Sequence, residues 1–279
     1  MAVDLHSHST FSDGSDTPTE LIHRAIESGL TAIALTDHDT QEGLEEAQAA
    51  AGDGIELIPG TELSLTRTEG GMHLVVLWLP PGPGPLQNRL AEIQHARGSR
   101  NQIIVDELTR LGMPVSLEEV LVKAGEGSVG RPHIAAVMVA KGYVPDIKTA
   151  FDLWLANGAP AYVKRRLLTP EEGIGLALES GAVPILAHPH TLGVNRAAEM
   201  ADLLDELKGC GLVGLEAHYS AYQQHERYGY DDLARRFGLI PSGGSDYHGT
   251  YKEGLELGSG YGDLHVPEKI LESLRASRQ

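Results

Sequence analysis

Asp4-Leu5-His6-Ser7-His8-Ser9-Thr10-Phe11-Ser12-Asp13 is the stretch from which this chain is best read. Side chains alternate faces along a strand, so His6 and His8 project together while Leu5 and Ser7 point the other way. Two imidazoles on one face can share a metal ion. Asp13, after a short polar turn, can reach a second ion beside the first. Taken alone, the same residues fit a pair of surface histidines near a terminus equally well, and the remaining chain has to decide.

Working outward, Val3 to His8 reads as a first strand, and Thr17-Pro18-Thr19-Glu20 is a capping box with proline in the first turn of a helix that closes at Gly29. Thr31 to Thr36 is a buried strand followed at once by Asp37-His38-Asp39. A Glu- and Ala-rich helix over Gln41 to Ala51 ends at Gly52. Ile55 to Ile58 is a third strand with Pro59-Gly60-Thr61-Glu62 at its exit, and Met72 to Leu79 a fourth, carrying His73 at its start. After the proline- and glycine-rich run Pro80 to Pro85 the pattern becomes helical. An all-helical insertion is expected over residues 100–158, between barrel segments 1–99 and 159–279.

Beyond it, Thr169-Pro170-Glu171-Glu172 caps a helix, and three more strands are expected: Ala182 to Ala187, Leu212 to Ala217 and Leu239 to Ser242. They exit into His188-Pro189-His190, into Glu216 and His218, and into Ser245-Asp246-Tyr247-His248. Strands and helices in alternation predict crossovers, hence a parallel sheet with function at the carboxyl ends of the strands.

Composition bounds the partners. The 279 residues suit one α/β barrel with an insertion, and 39 acidic against 22 basic residues give a net charge of -17. That balance disfavours broad binding to nucleic acid or anionic membrane, so an anionic substrate must be held locally. A lone Cys210 leaves no intramolecular disulfide or thiolate cluster. No apolar stretch approaches the length of a membrane span, and a soluble cytoplasmic protein is expected. The oligomeric state stays open, and a monomer is compatible with the sequence.

The 13 histidines say more than the charge. His6, His8 and Asp13; Asp37 and His38; Glu62; His73; His188 and His190; Glu216 and His218; and Asp246 and His248 all fall beside expected strand ends. Random scatter rarely does this. A His and carboxylate set without thiolates suits Mn, Zn or Fe, and it has more donors than one ion needs, so two to three divalent ions are expected.

The ordered set His6-x-His8, Asp13, Thr36-Asp37-His38, Pro59-Gly60-Thr61-Glu62, His188-Pro189 and Ser245-Asp246-x-His248 resembles the PHP (polymerase and histidinol phosphatase) family of metal-dependent phosphoesterases. Within it the chain is similar to the stand-alone phosphatases acting on AMP or nucleoside 3',5'-bisphosphates, a group that also contains oligonucleotide-trimming enzymes. The resemblance implies a distorted seven-stranded (β/α)7 TIM-like barrel. It also implies a trinuclear site: one ion on His6, His8, Glu62 and Asp246; a second on bridging Glu62 with His73 and His188; a third on Asp13, His38 and His248. Three divalent ions against the carboxylates of Asp13, Glu62 and Asp246 leave about +3 in a small cleft, which a phosphate ester would complement. Hydrolysis by metal-activated water follows as the expected chemistry.

Other residues carry secondary expectations. Asp13 and His38 are candidate catalytic residues, and His218, with Glu216 as its partner, is a candidate proton donor. Asp37 either orients a ligand or caps the following helix. Arg97 and Arg100 lie three apart on one helical face with Asn101 beside them, suited to a second phosphate or to solvent. Gly130-Arg131-Pro132-His133 opens a helix where backbone donors, Arg131 and His133 can meet an anion. Lys164, Arg165 and Arg166 form a basic run, of which Lys164 is a candidate substrate contact. His23, His95, His225 and His265 read as surface or packing residues.

Three competing readings remain. A 5'-3' exonuclease on short RNA or DNA is weakened by the scarcity of aromatic residues, with three Phe and two Trp. A histidinol-phosphate phosphatase is less favoured because paired arginines point to a more anionic substrate. A metal-binding regulatory module would predict broken ligand sets, and none is broken.

Overall fold

Apolar runs that alternate with capped helices place the first elements in order: β1 (Val3–Asp4), α1 (Pro18–Glu27), β2 (Ala32–Leu35), α2 (Leu44–Ala51), β3 (Glu56–Thr66) and β4 (Gly71–Leu77). A long α3 (Pro85–Arg110) follows, then α4 (Leu117–Ala124), α5 (Arg131–Ala140) and α6 (Ile147–Ala150), which continues as a π turn over Phe151–Leu155. The chain ends through α7 (Pro170–Glu179), β5 (Val183–Leu186), α8 (Ala197–Gly209), β6 (Gly214–Tyr219), α9 (Gln224–Arg236), β7 (Ile240–Gly244) and α10 (Glu268–Ala276). The computed structural model describes residues 2–67, 71–124, 129–164, 167–194 and 196–278.

Two compact units divide the chain: Met1–Leu90 with Leu167–Gln279, and Ala91–Arg166. The second begins inside α3 because that helix runs 26 residues without a break near residue 100. Both expected capping boxes form. Thr17 and Glu20 close the start of α1, and Thr169 and Glu172 that of α7.

The first unit is a nearly closed barrel of seven strands whose spatial order follows chain order. Its seam is joined where the Leu5 N–H donates to the Gly243 carbonyl at 3.2 Å and the Asp246 N–H to the His6 carbonyl at 2.9 Å. Such close approach requires glycine: a Cβ on Gly244 would sit 2.5 Å from His6 Cβ and backbone N. Strand faces are apolar on both sides, as crossovers demand. Ala32 and Ala34 enter the barrel core with Leu5, Ile58, Val75 and Ile185, while Ile33 and Leu35 pack outward with Leu21, Ile22 and Ala47 of α1 and α2.

One expectation fails. The sheet is not parallel throughout, because β4 runs antiparallel to both β3 and β5. β3 does not stop at Ile58 but continues through Gly60 and Glu62 to Thr66. From Thr66 to Gly71 there is no room for a crossover, which needs a dozen residues or more. The reversal has a functional consequence: His73, near the start of β4, comes to the barrel end where the other strands finish.

The second unit is helical, with its own core of Ile104, Leu108, Val120, Ile134, Met138 and Leu155.

Candidate metal centre

Glu62 organises the site. It sits in mid-β3, 1% exposed, and five imidazoles surround its carboxylate. Oε1 lies 2.9 Å from His73 Nδ1 and 2.9 Å from His188 Nε2. Oε2 lies 3.2 Å from each of His6 Nε2, His8 Nε2 and His38 Nδ1. These histidines come from the exits of β1, β2 and β5 and from the start of β4.

Two more carboxylates flank this arrangement. Asp246 Oδ1, just beyond β7, lies 3.5 Å from His6 Nε2 and 3.3 Å from His8 Nε2. Asp13 is half-exposed; its Oδ1 lies 3.3 Å from His248 Nε2, and its Oδ2 3.6 Å from His38 Nε2. Donor atoms thus gather within 4.8 Å of one another in three overlapping groups: His6, His8, Glu62 and Asp246; His8, Asp13, His38 and His248; and His38, Glu62 and His73. His188 adds to the last through Glu62 Oε1.

These donors fit metal ions better than they fit one another. His6 Nε2, His8 Nε2 and His38 Nδ1 are buried and make no hydrogen bond, although each stands 3.2 Å from the same Glu62 oxygen. Buried polar atoms without partners are rare, and here several aim at shared space between carboxylates, as cation ligands do.

The electrostatics agree. Burial opposes ionisation of Glu62, but the imidazoles of His38, His6 and His73 hold its carboxyl well below the usual range. Asp246 is held well down by His6 and His8 against the same burial cost, and Asp13 by His248, His38 and His8. Conversely, burial works against protonated His6 and His8, but neighbouring carboxylates win: Glu216, Glu62 and Asp246 raise His6 well above its ordinary value, and Asp246 and Glu62 push His8 up to about 10. Burial keeps His38 low. The buried carboxylates thus favour positive charge on the His6 and His8 rings that face them, a charge that a bound cation would also supply.

A family model described as PHP domain matches residues 4–102. A 3',5'-nucleoside bisphosphate phosphatase of Chromobacterium violaceum is 31% identical over 258 residues, covering 92% of this chain and 90% of that protein. A 5'-3' exoribonuclease of Haemophilus influenzae is 36% identical over 248 residues, covering 88% and 89%. The chain belongs to the PHP family. A solved structure from Bifidobacterium adolescentis, to which metal-dependent phosphoesterase activity is ascribed, superposes with a TM-score of 0.81 at 28% identity, covering 98% of this PHP chain and 95% of its own. The phosphoesterase class expected from the sequence is the class these relatives carry in their names.

Around the donors of this PHP barrel stands a layer of supporting contacts, part of it unforeseen. Asp37 accepts from Ser9 N at 2.8 Å, Ser9 Oγ at 2.6 Å and Ser12 Oγ at 2.5 Å, and Ser12 Oγ touches His8 Nδ1 at 3.3 Å. Through Ser12 it braces the His8 ring; Gly43, not Asp37, precedes α2. Tyr219 Oη donates to Asp246 Oδ2 at 2.7 Å, as does Lys252 Nζ at 2.5 Å. Asp39 accepts from Ser64 N at 2.8 Å and Ser64 Oγ at 3.0 Å, fixing β3 two residues past Glu62.

Glu216 does not hold His218, which corrects that expectation. Its Oε1 lies 2.9 Å from His6 Nδ1 and its Oε2 accepts from His188 N at 2.6 Å. A β-bulge between Glu216 and His218 breaks the alternation of β6, so His218 faces α9, where Nε2 lies 3.5 Å from Asp231 Oδ1. His218 belongs to none of the three donor groups among the described residues. His190 Nδ1 lies 3.1 Å from Tyr222 Oη. His23, His95, His225 and His265 are exposed.

The other candidates lie in the helical unit. Arg100, 8% exposed, donates through Nε to the Val163 carbonyl at 2.8 Å, and Asn101 Nδ2 to the Val129 carbonyl at 3.0 Å. Arg131 donates to the Leu155 carbonyl at 2.9 Å and stacks on Phe151 and Tyr162. His133 Nδ1 accepts from Gly130 N at 3.2 Å at the start of α5. Arg97 is half-buried and Lys164 exposed. Arg165 and Arg166 lie outside the described residues.

Proposed function

We propose that this PHP protein is a metal-dependent phosphomonoesterase that removes phosphate from a nucleotide, AMP or a nucleoside 3',5'-bisphosphate. The observation that carries the reading is the convergence of five imidazoles on Glu62, flanked by Asp246 and Asp13. His6, His8, Glu62 and Asp246 would hold one ion, Glu62, His73 and His188 a second, and Asp13, His38 and His248 a third. Manganese is the proposed metal, with iron or zinc accepted by the same donors. Bound divalent ions supply Lewis acidity toward a phosphate ester and lower the pKa of water.

The chain's own residues set the conditions for that chemistry. Tyr219 and Lys252 occupy Asp246 Oδ2 and leave Oδ1 for the site. Ser12, held by Asp37, steadies His8 from its Nδ1 side. Asp13, the most exposed of the donors, stands where a substrate can approach it, and His38 lies 3.6 Å from its Oδ2. Arg97, Arg100, Asn101, Arg131, His133 and Lys164 are proposed as contacts for the nucleotide and its second phosphate. His218, engaged by Asp231, receives no proton-transfer role. A cytoplasmic location belongs to this reading, supported by the single cysteine.

The second reading, a 5'-3' exoribonuclease, is favoured by the Haemophilus influenzae relative of that name. A substrate panel separates the two. Manganese-loaded protein is given AMP, adenosine 3',5'-bisphosphate, histidinol phosphate and a short 5'-phosphorylated RNA, and released phosphate and mononucleotide are quantified. Fastest phosphate release from the bisphosphate or AMP supports the proposal. Mononucleotide release from RNA with inert small esters would replace it with the exonuclease.

A further inference from the structure

Among the described residues β6 gives no donor to the three metal-binding groups, yet it touches the ligands of its neighbours. Its bulge turns Glu216 and Tyr219 toward the site and His218 away from it. Glu216 is 2% exposed, and both of its carboxylate oxygens are engaged. Oε1 meets the His6 ring at Nδ1, 2.9 Å away, and Oε2 receives the His188 backbone N–H at 2.6 Å.

These partners belong to different ions in the reading above. His6 groups with His8, Glu62 and Asp246, whereas His188 meets Glu62 through the other carboxylate oxygen, beside His73. His188 has φ 22 and ψ 66, a sparsely populated conformation for a residue with a side chain. The short bond from its N–H to Glu216 holds that turn. For His6, a carboxylate at Nδ1 selects the tautomer whose Nε2 is free of hydrogen, the form that can donate to a metal.

We propose that Glu216 is a positioning residue that sets the ligands of two metal ions at once, orienting the His6 ring for one and the His188 turn for the other. It touches neither ion nor substrate. The proposal rests on the metal reading, and its distinctive consequence is coupling. Loss of one buried carboxylate weakens two binding events rather than one.

The test is a Mn²⁺ titration of the metal-stripped full chain, read by competition with a chromophoric chelator, for wild type and Glu216→Gln. Two Mn²⁺ equivalents should weaken together by about 10–100-fold in the variant, the usual range for loss of a group that orients a ligand. Unchanged affinities, or weakening confined to one equivalent, would overturn the proposal. A wild type that binds no Mn²⁺ would overturn the metal reading itself. Should Glu216→Gln not fold, nitrogen-15 NMR of histidine in the zinc-loaded wild type decides instead. His6 must carry its ring proton on Nδ1, and a proton on Nε2 would refute the assignment.

Discussion

Metal binding to this protein should expel protons. In the metal-free protein, against the cost of burial, Asp246 and Glu62 push His8 up to about 10, and Glu216, Glu62 and Asp246 raise His6 well above its ordinary value. Near pH 7.5 the His8 ring is therefore protonated and must lose that proton before its Nε2 can accept an ion, and the upward shift of His6 acts in the same direction. Each displaced proton makes apparent affinity rise about tenfold per pH unit, so the ion proposed for His6, His8, Glu62 and Asp246 should bind at least about tenfold more tightly per unit. Calorimetric titration of Mn²⁺ into stripped protein, in buffers of different ionisation enthalpy, reads the number directly. Release of at least about one proton per ion at that site is expected. Pairing of zero proton release with an affinity flat between about pH 6.5 and 8.5 would refute the reasoning.

Other expectations follow from the same contacts. The raised His8 contributes stability to the metal-free protein that is present below its unfolded pKa near 6.5 and lost as pH rises through about 10, by at most about 5 kcal/mol. The depressed Glu62 and Asp246 act oppositely, stabilising above their unfolded values and losing that contribution as pH falls, so thermal melts of stripped protein should peak in mildly acidic buffer. Asp37→Ala leaves the buried Ser9 and Ser12 donors unpaired, at roughly 1–3 kcal/mol for each unsatisfied group, seen as a lowered denaturant midpoint together with weaker metal binding through His8. Gly244→Ala drives a methyl group to 2.5 Å from His6 and should cost about 3 kcal/mol or more by the same melt, with metal retention falling as β1 and β7 separate.

Much of the barrel was legible because crossover helices announce themselves through capping boxes such as Thr17 to Glu20, and because buried strands are short apolar runs between glycines. The exception was β4. His73 at the start of a strand can share a site with residues at the ends of other strands only if its strand is reversed, a clue present in the sequence but outweighed by the assumption of uniform alternation. Donor residues were legible as types at strand exits, since metal chemistry limits them to His and carboxylate. Their supports were not. Glu216 finds His6 across 210 positions and Asp37 finds Ser12 across 25, contacts that no local pattern encodes. The bulge in β6 also turned His218 toward Asp231, so the expected pairing of Glu216 with His218 failed where the strand was irregular.

The most direct test of the account is phosphate release from adenosine 3',5'-bisphosphate by chelator-stripped protein before and after reloading with Mn²⁺, with metal content measured on the same samples. Stripping should abolish turnover and reloading restore it in step with bound metal, with Glu62→Gln inactive and poorly loaded because all five imidazoles lose their shared anion. Turnover that persists after the metal is gone, or no release from any phosphomonoester at full occupancy, would contradict it.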